Sequence, residues 1–189
     1  MLTLFVYVGA EVIAGDSIIA YGIALGISAS TAKFFTTFTL MAMVFTYALG
    51  VILIPKYISQ QKALQISALL GVVFSVLILI TDGFTSVLFV AALGIANALV
   101  WPAVWPLTLV GLGIYTNTAS ALLIMAIAGG AIIPPLYGQL VDYGKETLME
   151  AGVSSSDALA ISAQESYYIL IPCYFIIFVF AVSAKRLQN

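Results

Sequence analysis

The stretch ALQISALLGVVFSVLILI, Ala63–Ile80, carries no charge over eighteen residues and stops at Thr81-Asp82-Gly83. A bilayer core of about 30 Å takes about 20 helical residues to cross. A barrel strand needs only about ten, in alternating pattern, and this run does not alternate. A lipid-exposed backbone must satisfy its own hydrogen bonds, so a run of this kind reads as a transmembrane helix. The same pattern recurs on both sides of it, over about residues 2–25, 34–54, 84–110, 119–141 and 166–184. Between the runs lie a small polar turn (Ser28 to Lys33), Pro55 followed by polar residues to Lys62, and a Gly/Asn/Thr connection near Gly111–Thr118. Residues 142–163, polar and acidic, read as the longest loop, on the extracytoplasmic side. The expectation is an all-α membrane protein in which residues 1–189 form one bundle of six transmembrane helices.

Composition supports this reading. Residues of the set AVILMFWYC make up 63% of the chain and charged residues 7%, with a mean hydropathy of +1.17. Soluble domains are about 25% charged, so a soluble fold would have too little charge to cover its surface. The apolar start lacks a basic lead and is too long for a cleavable signal, so it reads as the first span. Of the basic residues, Lys56, Lys62, Lys185 and Arg186 fall on the side of the termini, and Lys33 and Lys145 on the other. That bias puts both termini in the cytoplasm.

Several function classes fall away. A net charge of −2 with no basic patch points away from nucleic acid. One cysteine, Cys173, and no histidine leave no intrachain disulfide, no zinc spacing and no Ser-His-Asp set. No phosphate-binding loop pattern is present, so neither an enzyme nor a metal or cofactor protein is expected.

The polar residues inside the spans carry the functional expectation. Glu11 lies roughly 14 Å into the first helix, near the midplane. An ionised carboxylate there costs about 2.5–3.5 kcal/mol or more, so something must offset it. A proton or substrate contact in a central cavity is one reading; a structural partner for another helix is the other. Asp16 lies on a different helix face from Glu11, and is either cavity-lining or a solvated helix end. In the fourth run, NALVWPAVWPLT (Asn97–Thr108), Asn97, Trp101 and Trp105 recur every four residues and would form one helical stripe. An amide donates and accepts, and an indole face stacks on the C–H face of a sugar. The alternative for the tryptophans is an interfacial aromatic belt. Pro102 and Pro106 should kink this helix. In the fifth run, Gly129-Gly130 and Pro134-Pro135 suit either a flexing, gating helix or tight packing. Thr116, Asn117, Thr118 and Ser120 read as caps at that helix's start. A weak internal repeat aligns Leu4-Phe5-Val6 with Leu88-Phe89-Val90, which fits two three-helix repeats.

These runs resemble a known family. FVYVGAEVIAGDSIIAYG (Phe5–Gly22), NALVWPAVWPLTLVGLG (Asn97–Gly113) and SALLIMAIAGGAIIPPLYGQLVD (Ser120–Asp142) are similar to the seventh, tenth and eleventh helices of the fucose permease and glucose/galactose transporter family, within the major facilitator superfamily. LGVILIPKYISQQKAL (Leu49–Leu64) resembles its loop between helices eight and nine. The resemblance implies the C-terminal half of a twelve-helix sugar symporter of the bacterial inner membrane, with an N-terminal six-helix half as partner. It implies a hexose substrate (glucose, galactose or N-acetylglucosamine) and a coupling proton, or sodium in some relatives. Most proton-coupling acids of the family belong to the other half, so carry-over is to Glu11, Asn97 and Trp101, while Asp16 stands where relatives often have a small residue. The other expectation to weigh is a truncated, non-transporting membrane fragment or assembly partner.

Overall fold

The computed structural model describes residues 1–184, so Lys185 and Arg186, counted above for orientation, lie outside the described residues. Among the described residues, six helices are long and apolar enough to cross a membrane: α1 (Leu2–Ala24), α2 (Ala29–Leu53), α3 (Gln60–Ile80), α4 (Gly83–Leu109), α5 (Gly113–Glu150) and α6 (Ser155–Ser183). Local chemistry sets their ends. Gly26 takes φ +82° and closes α1, with its N–H on the Ile23 carbonyl. Ser59 caps α3 by accepting the Lys62 N–H. The residues expected to cap α5 do not do so: Thr116 instead donates to the Gly113 carbonyl at 2.7 Å.

The expected loop at 142–163 is corrected by the structure. Helix continues to Glu150 and restarts at Ser155. Apolar runs end where lipid ends, but a helix can go on into water if its caps permit. Here Gly152, φ +89°, donates to the Met149 carbonyl, and Val153 donates to Leu148, a paired C-terminal closure. Ser154 then accepts the Asp157 N–H and opens the next helix. α5 and α6 therefore form a tight helical hairpin beyond the apolar runs.

Packing follows the two three-helix repeats, α1–α3 and α4–α6. α1 packs on α5, α4 on α2, and α3 on α6, so each contact has its counterpart when the repeats are exchanged. The first two contacts use glycine to bring backbones together. Gly129 of α5 lies against the Phe5 carbonyl of α1, and Gly94 of α4 against the Thr39 carbonyl of α2. α3 and α6 are clamped at both ends. Gln61 and Gln65 of α3 donate to the Ala181 carbonyl at 2.8 and 3.3 Å. At the opposite end, Gln164 of α6 donates to the carbonyls of Ile78 and Thr81, at 2.8 and 2.6 Å. These carbonyls belong to the helix end, where no intrahelical N–H reaches them. Gln164→Leu should therefore destabilise the bundle by about 1–2 kcal/mol, read as a lowered thermal midpoint in detergent. The same change at exposed Gln139 should leave the midpoint where it was.

Candidate functional site

α1 and α4, which carry the polar side chains, are both interrupted. α4 runs helically to Asn97, breaks at Ala98-Leu99, and resumes at Val100. Pro102 has no N–H for the Ala98 carbonyl and falls in the first turn of the resumed helix, where none is needed. The helix then continues through Pro106.

The residues of the expected stripe differ in burial. Trp101 and Trp105 share the resumed helix, half-buried, with rings 5.6 Å apart and 28° from parallel. Asn97 belongs to the other segment and is fully buried. Its Oδ1 accepts from the Tyr174 hydroxyl of α6 at 2.9 Å, and its Nδ2 has no partner among the described residues. The backbone stays in the right-handed helical region through Ala98 and Leu99, so what separates Asn97 from the tryptophans is its full burial.

α1 supplies the rest. Tyr7 donates to Glu11 Oε1 at 2.8 Å, and its ring lies 6.4 Å from that of Trp101, tilted by 46°. A carboxylate and three aromatic rings from two helices thus form one connected group: Glu11, Tyr7, Trp101, Trp105. Glu11 is half-buried, so its carboxylate is held without being sealed. The group offers apolar faces next to a hydrogen-bond acceptor, the combination that a sugar ring with its C–H face and hydroxyls can use. Sequence reasoning missed Tyr7 and Tyr174. The first had a signal, since tyrosine and glutamate four apart on a helix can meet. The second had none.

The remaining candidates fall elsewhere. Asp16 is exposed and takes no part in the Tyr7–Glu11 pair. Gly129 is packed on Phe5, and Gly130 faces Val8 and Val12. Pro134 and Pro135 do not break α5, which stays helical through them; its irregular turn is Ala126–Ala128, before Gly129.

Comparison with known proteins gives a consistent picture. No protein-family model matches the chain. A glucose/galactose transporter of Brucella abortus biovar 1 is 31% identical over 142 residues, 74% of this chain and 34% of that protein. A Helicobacter pylori protein with a provisional glucose/galactose transporter name is 31% identical over 190 residues, all of this chain and 43% of that protein. Crystal structures of FucP, a major facilitator transporter described as the E. coli fucose:proton symporter, superpose with a TM-score of 0.81 at 24% identity, over 97% of this chain and 41% of FucP. The chain thus spans well under half the length of the proteins it matches. Its fold is that of one six-helix bundle of a major facilitator transporter, and its relatives are transporters rather than enzymes. Six apolar spans in this fold make it a multi-pass integral membrane protein.

Proposed function

We propose, for a chain with the fold of one major facilitator bundle and with relatives named as glucose/galactose transporters, that it is the C-terminal half of a secondary active sugar transporter. Its substrate is a hexose, bound between this bundle and an N-terminal six-helix partner, and coupled to proton uptake by alternating access. Both termini lie in the cytoplasm and the protein sits in a bacterial inner membrane. The single observation that carries this reading is the stacked Trp101–Trp105 pair beside the Tyr7–Glu11 hydrogen bond. One sugar face lies on the indoles, and Glu11 accepts from a hydroxyl or takes up the coupling proton. Asn97, buried behind a tyrosine hydrogen bond, supports the wall rather than touching the sugar.

The test is sugar uptake by vesicles holding this bundle together with a six-helix partner half. Labelled glucose, galactose and N-acetylglucosamine are compared with and without a proton gradient. Trp101→Ala should weaken apparent sugar affinity about tenfold, the scale of one lost aromatic stacking surface. Glu11→Gln keeps the shape and removes the charge. Loss of proton-driven accumulation with exchange of sugar kept assigns Glu11 the coupling proton, and a weakened sugar affinity with accumulation kept assigns it the sugar hydroxyl. Unchanged uptake in both variants would remove the site assignment, and no uptake by the unaltered pair would favour a non-transporting fragment.

A further inference from the structure

A cavity of about 150 Å³ lies between α2 and α3, with Ile95 and Leu99 of α4 as its floor. Small residues on both walls leave it unfilled. They are Gly50 on α2, where an added Cβ would run into Leu99, and Ala63 and Ser67 on α3. Leu49 and Ile66 stand at its mouth and are exposed, so the cavity opens to the outside of the bundle. Leu99 and Trp101 are two residues apart and point to opposite sides of α4. The cavity is therefore on another side of the bundle from the tryptophan pair.

Two exposed lysines stand over this mouth. Lys62 comes one turn before Ile66 on the same side of α3, and Lys56 comes two residues before Ile58, which also lines the cavity. The Lys56 Nζ lies 5.2 Å from the centre of the Tyr57 ring, and tyrosines of this kind sit at the level of lipid headgroups. No acid answers the lysines. Residues 17–81 hold no aspartate or glutamate. Every acid from Asp82 onward falls at the other end of α3, where Gln164 meets Ile78 and Thr81, about 30 Å away. Ser67 follows Lys62 by five residues, about 8 Å along the axis. It is 3% exposed and lines the cavity, and its hydroxyl makes no hydrogen bond among the described residues. Ser75 of the same helix, by contrast, donates to the Gly71 carbonyl at 2.7 Å.

We propose that this cavity binds an anionic phospholipid, with the phosphate at Lys62 and Lys56, an ester carbonyl on the Ser67 hydroxyl, and one acyl chain against Leu99 and Ile95. Cationic charge, a hydroxyl donor and an apolar slot follow one another along α3 in the order that a phospholipid presents phosphate, ester and chain. An apolar cavity of about this volume holds a benzene-sized group and stays dry, so a short length of chain fits and water does not. The headgroup is anionic because a zwitterionic one would bring a second cation to lysines that have no acid to share. Each lysine at a membrane surface favours anionic lipid by about fivefold. A second protein bundle on the same face would have to supply acids for both lysines, or bury them unpaired at high cost. The inference needs only that the chain is embedded in a bilayer, so its failure leaves the transport reading as it stands.

The experiment uses the whole chain in phosphatidylcholine nanodiscs, in a Cys173→Ala background. A bimane dye is attached at Leu69→Cys, an exposed position three residues on from Ile66, or at Phe175→Cys, exposed on α6. The discs carry a varied small fraction of phosphatidylglycerol or of phosphatidylcholine brominated on the acyl chain, and bromine quenches the dye on contact. At position 69, half-maximal quenching should need at least about fivefold less of the glycerol lipid than of the choline lipid, the factor for one lysine. At position 175 the two lipids should quench alike. Lys56→Gln together with Lys62→Gln should remove the preference at position 69. Ser67→Ala should weaken quenching there by both lipids and keep their ratio. Equal quenching by the two lipids at position 69 would overturn the site, as would a preference that survives the lysine substitutions or appears equally at position 175. No quenching by either lipid at position 69 would also overturn it, since another bundle would then cover this face.

Discussion

Gly129→Ala should cost the protein about 2 kcal/mol or more of stability, although alanine is the better helix former. Two effects oppose each other. Alanine gains about 1 kcal/mol over glycine within a helix. Against that, the new methyl group would run into the carbonyl of Phe5. Overpacking typically costs 1–3 kcal/mol when side chains can yield, and occasionally more. Here the obstacle is backbone, so α1 and α5 must separate along their length. A graded series makes the claim specific. At Gly9 an added Cβ meets Ile133 from that residue's own Cβ outward, an atom that no side-chain rotation moves in a β-branched residue, so Gly9→Ala should destabilise as well. At Gly138 it meets nothing within 4 Å among the described residues, so Gly138→Ala should be neutral or stabilise by up to about 1 kcal/mol. Monodisperse protein surviving a heating series, measured by size-exclusion chromatography, ranks the three. Equal survival of the Gly129 and Gly138 variants would mean that the α1–α5 contact is not tight. The contact also matters for the site: Gly129 and Gly130 seat Phe5, Val8 and Val12, which flank Tyr7 and Glu11 on α1. A shift there moves the carboxylate, so the Gly129 variant should lose uptake in any protein that still folds.

The spans were legible because lipid imposes one simple demand. Runs such as Ala63–Ile80 must be apolar for about the thickness of the core, and the helix ends of α1 to α4 fall within a few residues of the runs. Beyond the lipid the demand lapses, and residues 142–163 were read by polarity alone. Gly152 and the Ser154-to-Asp157 spacing carried the right signal there, since they close one helix and open the next. The site was legible in part. Glu11, Asn97 and the tryptophans could be named from cost and spacing, but the spacing says nothing of depth, and Asn97 lies buried against Tyr174 while the tryptophans are half-buried. The hydroxyls of Thr36, Thr39 and Tyr167 were invisible for another reason. A threonine or tyrosine in an apolar run is ordinary, and only the chain's return past Gly15 and Ser17 gives these residues partners. Tyr174 is the same case, distant in sequence from the amide it holds.

Tyr174→Phe should destabilise the bundle by about 1–3 kcal/mol, while the double variant with Asn97→Leu recovers most of that loss. The amide of Asn97 is fully buried; among the described residues its Oδ1 is paired only with Tyr174 and its Nδ2 has no partner. Removing the hydroxyl leaves both ends of the amide without a partner, and each buried polar group left so costs about 1–3 kcal/mol. Asn97→Leu alone strands the tyrosine hydroxyl instead. Replacing both partners by apolar groups removes the polar atoms together, which is close to neutral when shapes match. Turning the amide over does not rescue the pair. It would give Nδ2 to the tyrosine oxygen, but the hydroxyl hydrogen and Oδ1 would then need partners. A double-mutant cycle on thermal unfolding should therefore give a coupling of about 1 kcal/mol or more; additive losses would mean that the two side chains do not act as a pair. The same double variant separates the two roles assigned to Asn97. A residue that contacts sugar would leave it stable but unable to bind. Asn97 is already buried with one bundle alone, before any second bundle covers it, so a sugar resting on Trp101 and Trp105 reaches it only if α4 moves. The stable double variant should accordingly keep its sugar affinity to within about threefold, where Trp101→Ala loses about tenfold.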